Sequence, residues 1–319
     1  MIVRDQAPPC GGTEVADARH VAALFEALET SGIGYAVLHG AQDIPDHVDS
    51  DIDMIVAPHA LTDLTCLLAE FAHSRDGVLC QVIRHEATAR YHVLALPAPD
   101  GRPSFVKVDA STDFRRDGRV FFTGPFLLCD TRMEGRVRSV SVGKEFAAYL
   151  AKCILKGRLS GAHMDSLSVL WRRDGAACVL SCREYLSPRN ISVIEDAMEG
   201  ADAAASITML LGLRGSVLAG ASRRHPLLAL MMPFQNLVRA ADRVVRRTGF
   251  QVALLGPDGV GKSTVLRQLP GLLGPAFRRV EYLHLRPGLL PARTRPATFG
   301  SALPYGDVAY PVIRSLAKL

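Results

Sequence analysis

Two sets of residues in this sequence have the types and spacing for phosphate chemistry. The first is Gly256, Gly261, Lys262 and Ser263, spaced as Gly-x4-Gly-Lys-Ser directly after the apolar run Val252-Ala253-Leu254-Leu255. This is the phosphate-binding loop, or Walker A, pattern. Gly256, Gly259 and Gly261 allow consecutive backbone N–H groups to turn inward around a phosphate chain. Lys262 can reach the β- and γ-phosphates, and the Ser263 hydroxyl can ligate Mg²⁺. A short strand is expected before the loop. A helix from about Thr264 would aim its positive end at the same anion. The expected ligand is ATP or another nucleoside triphosphate with Mg²⁺. The pattern names no reaction, because kinases, ATPases and GTPases share it.

The second set is Asp51 and Asp53 in Ser50-Asp51-Ile52-Asp53-Met54-Ile55-Val56. Alternation on a strand puts the two acids on one face and Ile52, Met54 and Val56 on the other. Adjacent carboxylates repel, and a cation between them relieves the repulsion. An all-oxygen set at this spacing suits Mg²⁺, which keeps waters and substrate phosphates in its shell. A solvent-exposed strand face, or Asp51 as a turn residue, is the alternative reading of so short a pattern.

Each set resembles a known family. Gly256 through Thr264, with Asp258 inside the loop, is similar to the phosphate-binding loop of thymidylate kinases. The resemblance implies that Asp258 faces the acceptor nucleotide. It also implies that Arg286, in Leu285-Arg286-Pro287-Gly288, grips a phosphate, although the family's Glu after the Arg is absent here. The residues after Arg286 are too few for the remaining strands, the second metal acid and the lid of such a kinase. The expectation is a chain truncated at Leu319, or a module that cannot catalyse alone.

Gly40, a short loop and then Asp51-Ile52-Asp53-Met54 resembles the signature of DNA polymerase beta-type nucleotidyltransferases. That resemblance covers roughly residues 14–125 and implies a third acid on a neighbouring strand. In Ser104–Ala110, Asp109 shares a face with Phe105 and Lys107 and fills that place. The chemistry implied is two-metal transfer of a nucleoside monophosphate to an acceptor hydroxyl. One Mg²⁺ would be held by Asp51, Asp53 and Asp109, and a second by Asp51 and Asp53. Asp109 could also act as the base. Ala41 departs from the family's Ser or Gly after Gly40, and His39 before it is unusual. A Lys in the helix after the third acid approaches phosphates in the family, while a solvated Lys152 is the plainer expectation.

The elements that must hold these residues are readable in outline. A helix is expected over about 14–31, with Val15, Ala18, Val21, Ala22, Phe25 and Leu28 as its stripe, Thr13 as N-cap and Gly32 as stop. Strands are expected at 35–39, 50–56, about 78–84, about 90–96 and 104–110, and a helix at about 59–73. Thr112–Arg119 reads as a solvated, charged hairpin, the alternative being that its arginines hold an anionic acceptor. From about 143 to 248 the pattern is helical. Phe146, Tyr149, Leu150, Cys153 and Ile154 form one stripe ending at Gly157, Lys152 and Lys156 lie opposite, and further helices span 161–187 and 190–220. Pro233–Thr248 carries Arg239, Arg243, Arg246 and Arg247 at helical spacing, which suits a linker helix packed on the kinase-like module, with a membrane surface or an acidic partner as the alternatives. The expected class is α/β: an α+β nucleotidyltransferase-like mixed sheet over 1–128, a helical region and linker over 129–248, and the start of a phosphate-binding-loop domain over 249–319.

The 319 residues are 48% hydrophobic and 22% charged, an ordinary globular balance. The net charge of +5 is uneven: residues 250–319 hold nine Lys/Arg against three Asp/Glu, leaving −1 for the rest. That placement suits a phosphate ligand, and no basic–aromatic pattern supports a nucleic-acid partner. Seven scattered Cys without a Cys-x2-Cys pair argue against zinc and, with no leader recognised, point to reduced thiols in the cytoplasm. The apolar runs are too short for a membrane span. Three readings remain open. One is a nucleotidyltransferase using Asp51, Asp53 and Asp109 on an acceptor hydroxyl of a sugar, nucleotide or natural product. Another is a thymidylate kinase-type enzyme centred on Lys262. The last is a non-catalytic nucleotide-binding regulator.

Overall fold

The computed structural model describes residues 16–46, 48, 51–86, 88–116, 119–200, 202–226, 252–257 and 259–277, with single positions at 234, 237, 238 and 241. The chain divides into two units, residues 15–242 and a second made of 1–14 with 243–319. The first unit is mixed α/β. It begins with α1 (Ala18–Ser31), β1 (Tyr35–Val37), β2 (Ile52–Val56), α2 (Leu61–His73), β3 (Val78–Glu86), β4 (Ala89–Pro97) and β5 (Pro103–Ser111). Then come β6 (Asp113–Arg116), β7 (Arg119–Thr123), α3 (Gly124–Leu128), β8 (Arg132–Glu134), β9 (Val137–Ser139) and α4 (Val142–Lys156). Helices α5 (Gly161–Cys182), α6 (Pro188–Glu199), α7 (Ala203–Gly212) and α8 (Arg214–Arg224) complete it.

Seven strands form one sheet in the order β3-β4-β5-β2-β1-β9-β8. The β2–β5 and β1–β9 pairs are parallel and the other pairs antiparallel. Alternation along each strand feeds two cores. Ile52, Met54 and Val56 of β2 and Val106, Val108 and Ala110 of β5 face one core with α1 and α2. Ile55 of β2 and Ala36 of β1 face the other, under α3, α4 and the later helices. Val21, Leu24, Phe25 and Leu28 of α1 are wholly buried, each contributing about 1.5–3 kcal/mol relative to exposure.

Several expectations need correcting. The first helix starts at Ala18, because the Asp17 carboxylate accepts the Arg19 N–H and acts as N-cap; Thr13 lies outside the described residues. Gly32 ends it in the left-handed conformation, φ 74°. The charged hairpin exists as β6 and β7 but is not a solvated loop. Phe114, Val120, Phe121 and Phe122 are buried, and the rings of Phe121 and Phe122 meet Tyr185 edge-on at 6.0 and 5.6 Å. Only its arginine face was visible in the charge pattern. The expected 190–220 helix is broken at Gly200, after which Asp202 caps α7 by accepting from Ala204 and Ala205. Helix α5 is kinked at Asp174, whose carboxylate accepts the Ala177 N–H. Strands β8 and β9 were not expected: at three residues each they are too short to show a period. Among the described residues one stretch, Ala203–Arg224, has the length and composition of a membrane span, but its Leu210, Val217 and Ala221 pack into the second core.

In the second unit the described residues 252–257 form no strand. Val252 and Leu255 are exposed, so the apolar run is not covered by neighbouring strands among the described residues. Helix α9 (Lys262–Leu273) follows, with Pro270 inside it and none of its residues buried.

The closest helix crossing that matters for the site joins α4 to α5. A Cβ added to Gly143 would lie 2.2 Å from the Ala177 carbonyl oxygen and 2.8 Å from the Ser181 hydroxyl. Gly143→Ala gains about 1 kcal/mol in helix propensity. Even so, it is expected to destabilise the fold by about 1–3 kcal/mol through overpacking, read as a lower midpoint in urea unfolding. An unchanged midpoint would contradict this packing.

Candidate functional site

The acids are brought together by strand register. Parallel pairing of β2 with β5 sets Asp53 opposite Asp109. Asp51, just before β2, lies two residues from Asp53 and projects to the same side. One oxygen from each of Asp51, Asp53 and Asp109 lies within 4.8 Å of the others. All donors are carboxylate oxygens, so the trio fits a hard divalent cation such as Mg²⁺ rather than a soft metal. Asp109 enters although 56 positions separate it from Asp53, because strand pairing, not sequence distance, sets this contact.

Basic groups close around the trio. Lys152 of α4 donates to Asp53 Oδ2 at 2.5 Å, and His39 Nε2 lies 3.0 Å from the same oxygen. Lys152 Nζ is also 2.6 Å from His39 Nε2. An ammonium has only donors. Against Lys152 the ring nitrogen is therefore the acceptor, and when protonated it donates to Asp53 instead. Tyr149 holds the His39 ring edge-on at 5.2 Å. Burial would raise the Asp53 carboxyl, but the His39 contact and the Lys152 charge outweigh it and hold it well below the usual carboxylate range. Lys152 was expected to be solvated. It is only 24% exposed, because α4 lies across the acid end of β2 and turns this face of the helix onto Asp53.

Other charges lie near. His85 of β3 places Nε2 3.3 Å from Asp109 Oδ1. Lys156, one turn beyond Lys152, has its amine lowered first by burial and then by the charges of Lys152 and Arg116, against the pull of Asp53 and Asp51. Arg116 of β6 and both lysines therefore form a cationic rim beside the acids. The sequence held two signals for this rim, the Lys152–Lys156 spacing of one helical turn and the Arg-rich hairpin. Neither says which way those faces point.

Gly40 follows β1 by three residues and has φ 73°, a conformation that favours glycine. Its carbonyl accepts the Asp43 N–H at 3.2 Å, closing a tight turn. Ala41 is buried in the core beside α1, so the side chain that departs from the nucleotidyltransferase pattern points away from the acids. The Gly40 N–H donates to Glu145 Oε1 at 3.2 Å. Glu145 also receives Arg132 at 2.6 Å, and its side chain is 3% exposed. Neither residue stood out in the sequence.

The glycine-rich segment of the second unit has its own geometry. Gly259 and Gly261 adopt φ values of 85° and 93°. The Gly261 carbonyl starts α9 by accepting the Thr264 and Val265 N–H groups. Lys262 donates to the carbonyls of Gly256 and Pro257 at 2.7 and 2.6 Å, so its amine folds back over the loop. Ser263 and Thr264 sit exposed in the first turn of α9. Asp258 and Arg286 lie outside the described residues.

Lys152→Met should reveal the acid pairing through pH. Asp53 is ordinarily near 3.8 and lower in the fold, so its ionised form stabilises the protein above that value, and the contribution is lost as pH falls towards the folded value. Breaking a buried pair costs about 3–5 kcal/mol. The stability deficit of Lys152→Met should be largest at neutral pH and shrink in acid, measured by urea unfolding. A deficit independent of pH would refute the pairing.

No family model matches this chain, and no curated protein matches it. Among solved structures, the chain is similar to an antigenic nucleotidyltransferase-like protein from Paracoccidioides brasiliensis, with a TM-score of 0.33 and 14% identity over 68% of this chain and 91% of that one. It is also similar to the polymerase core of TRAMP, an RNA surveillance complex, with a TM-score of 0.24 and 17% identity over 60% and 54% of the two chains. Likenesses this slight decide nothing about chemistry, and the functional reading rests on the side chains.

Proposed function

We propose that the first unit is a nucleotidyltransferase that moves a nucleoside monophosphate from a nucleoside triphosphate to an acceptor hydroxyl, with Mg²⁺. The observation that carries this reading is the convergence of Asp51, Asp53 and Asp109 on one point with Lys152 at its edge. Asp51, Asp53 and Asp109 would hold the cation, which supplies charge neutralisation and lowers the pKa of the attacking hydroxyl. Lys152, Lys156 and Arg116 offset the negative charge of the triphosphate. Asp109, with His85 against it, takes the hydroxyl proton. The acceptor oxygen bonds to the α-phosphorus, the bond to the β-phosphate oxygen breaks, and pyrophosphate leaves. The acceptor class is a sugar, nucleotide or natural product bearing a free hydroxyl.

The Lys152–Asp53 contact fits this reading. An ammonium neutralises Asp53 when no cation lies there, and it stands close enough to turn to phosphate when one does. Lys152 then stays in the site in both states.

A second reading has its own support. The left-handed Gly259 and Gly261 and the helix that begins at Lys262 are what a phosphate-gripping loop needs. On this reading the second unit binds ATP, and as a thymidylate kinase-like centre it phosphorylates a nucleotide or sugar. A chain that binds nucleotide without turnover would instead be a regulator.

The test uses ATP labelled at the α- or γ-phosphate, Mg²⁺ and a cell extract as acceptor pool. Asp53→Ala should lower α-label transfer by about a hundred-fold or more, since losing even an outer-shell partner of a metal costs about 10–100-fold. Lys262→Ala should leave α-label transfer intact. Transfer of γ-label that depends on Lys262 alone would establish the kinase reading, and ATP binding with no transfer of either label would leave the regulator.

A further inference from the structure

We infer that Glu145 is a positioning residue that fixes the Gly40 turn beside the acid cluster, with Arg132 cancelling its charge. This deepens the nucleotidyltransferase reading and rests on it. Four observations meet at this carboxylate. It stands in the first turn of α4, the helix that also delivers Lys152. Its side chain is 3% exposed, so both of its oxygens depend on protein partners. One oxygen accepts the Gly40 N–H at 3.2 Å, and the other accepts Arg132 Nη2 at 2.6 Å. Arg132 in turn donates to Glu134, which also receives Arg173 of α5 at 2.7 Å.

Stability alone does not account for this arrangement. A buried carboxylate of this kind is pushed up by burial, opposed by Arg132 and the Gly40 N–H. Well-packed apolar residues in place of a buried ion pair are often as stable or more so. What an apolar side chain cannot do is accept the N–H of Gly40. That N–H belongs to a residue at φ 73°, one position from His39, which touches Asp53. The turn is therefore fixed from α4, the same helix that brings Lys152 to the acids. The acids, the turn and the basic rim share one frame before any nucleotide arrives. Pre-fixing of this kind lowers the ordering cost of binding.

The charge on Glu145 has a second consequence. An unpaired anion this close to the acid cluster would add to its negative charge and repel a triphosphate bound there, and Arg132 offsets that repulsion. Removing the charge while keeping the acceptor oxygen should thus spare nucleotide binding, whereas removing the acceptor should not. A residue needed only for folding would suffer from both changes.

The experiment compares wild type, Glu145→Gln and Glu145→Leu as full chains. Amide hydrogen exchange of Gly40 is followed by NMR with ¹⁵N-glycine labelling. Affinity is measured for a fluorescent ATP analogue with Mg²⁺, in the background of Lys262→Ala to silence the second unit. Glu145→Gln should keep Gly40 protected and bind nucleotide as tightly as its parent or more so. Glu145→Leu should lose Gly40 protection and weaken nucleotide binding about ten-fold, the loss expected for a hydrogen bond to a charged group. Equal Gly40 exchange in wild type and Glu145→Leu would overturn the inference. So would Glu145→Gln behaving like Glu145→Leu in both readouts. No nucleotide binding by the Lys262→Ala parent would sink the nucleotidyltransferase reading instead, and Gly40 exchange would still decide whether Glu145 anchors the turn.

Discussion

Three carboxylates gathered within 4.8 Å repel one another, and much of the first unit is arranged around that repulsion. At an effective dielectric of about 20, each pair at that distance costs on the order of 3 kcal/mol. Lys152, at 2.5 Å from Asp53, offsets roughly two such pairs on the same scale. The ring nitrogens of His39 and His85 lie 3.0 and 3.3 Å from Asp53 and Asp109. Asp53 is thus kept ionised by its neighbours rather than by water. A site in that state is ready for a divalent cation, which would take up the lone pairs that Lys152 now covers in part.

Helix α4 is the element on which this balance turns. It carries Phe146, Leu150 and Ile154 into the second core, which they share with Ala36 of β1 and Ile55 of β2. The same helix supplies Lys152 to Asp53 and Glu145 to Gly40. Its close approach to α5 at Gly143 leaves little room to slide. Core packing and site geometry are therefore one constraint. A shift that loosened the helix would move the cation and the turn together.

The two units differ in how firmly their candidate residues are held. Asp53 and Asp109 of the first lie on paired strands with buried neighbours on both sides. In the second, the described part of α9 buries none of its residues, and the apolar run before the loop is exposed. Gly259 and Gly261 supply the left-handed angles of the glycine-rich segment. Holding it rigid takes packing that the described residues do not supply.

The sequence by itself determined the local features. Period-2 alternation in Asp51–Val56 assigned Asp51 and Asp53 to one face, and the period of α4 assigned its core stripe. Gly32 and Gly157 marked helix ends, and both adopt left-handed φ. These readings hold because they depend on neighbours a few positions away. The expected strand before Gly256 is not among the described residues, since an apolar run becomes a strand only where partners pair with it. Tertiary structure decided the rest. Only the parallel pairing of β2 with β5 brings Asp109 level with Asp53. Only the packing of α4 across the sheet turns Lys152 from a surface lysine into a partner of Asp53, and makes Glu145 an anchor for a glycine 105 positions away. Charge patterns show which residues are polar, but strand register and helix packing decide which of them meet.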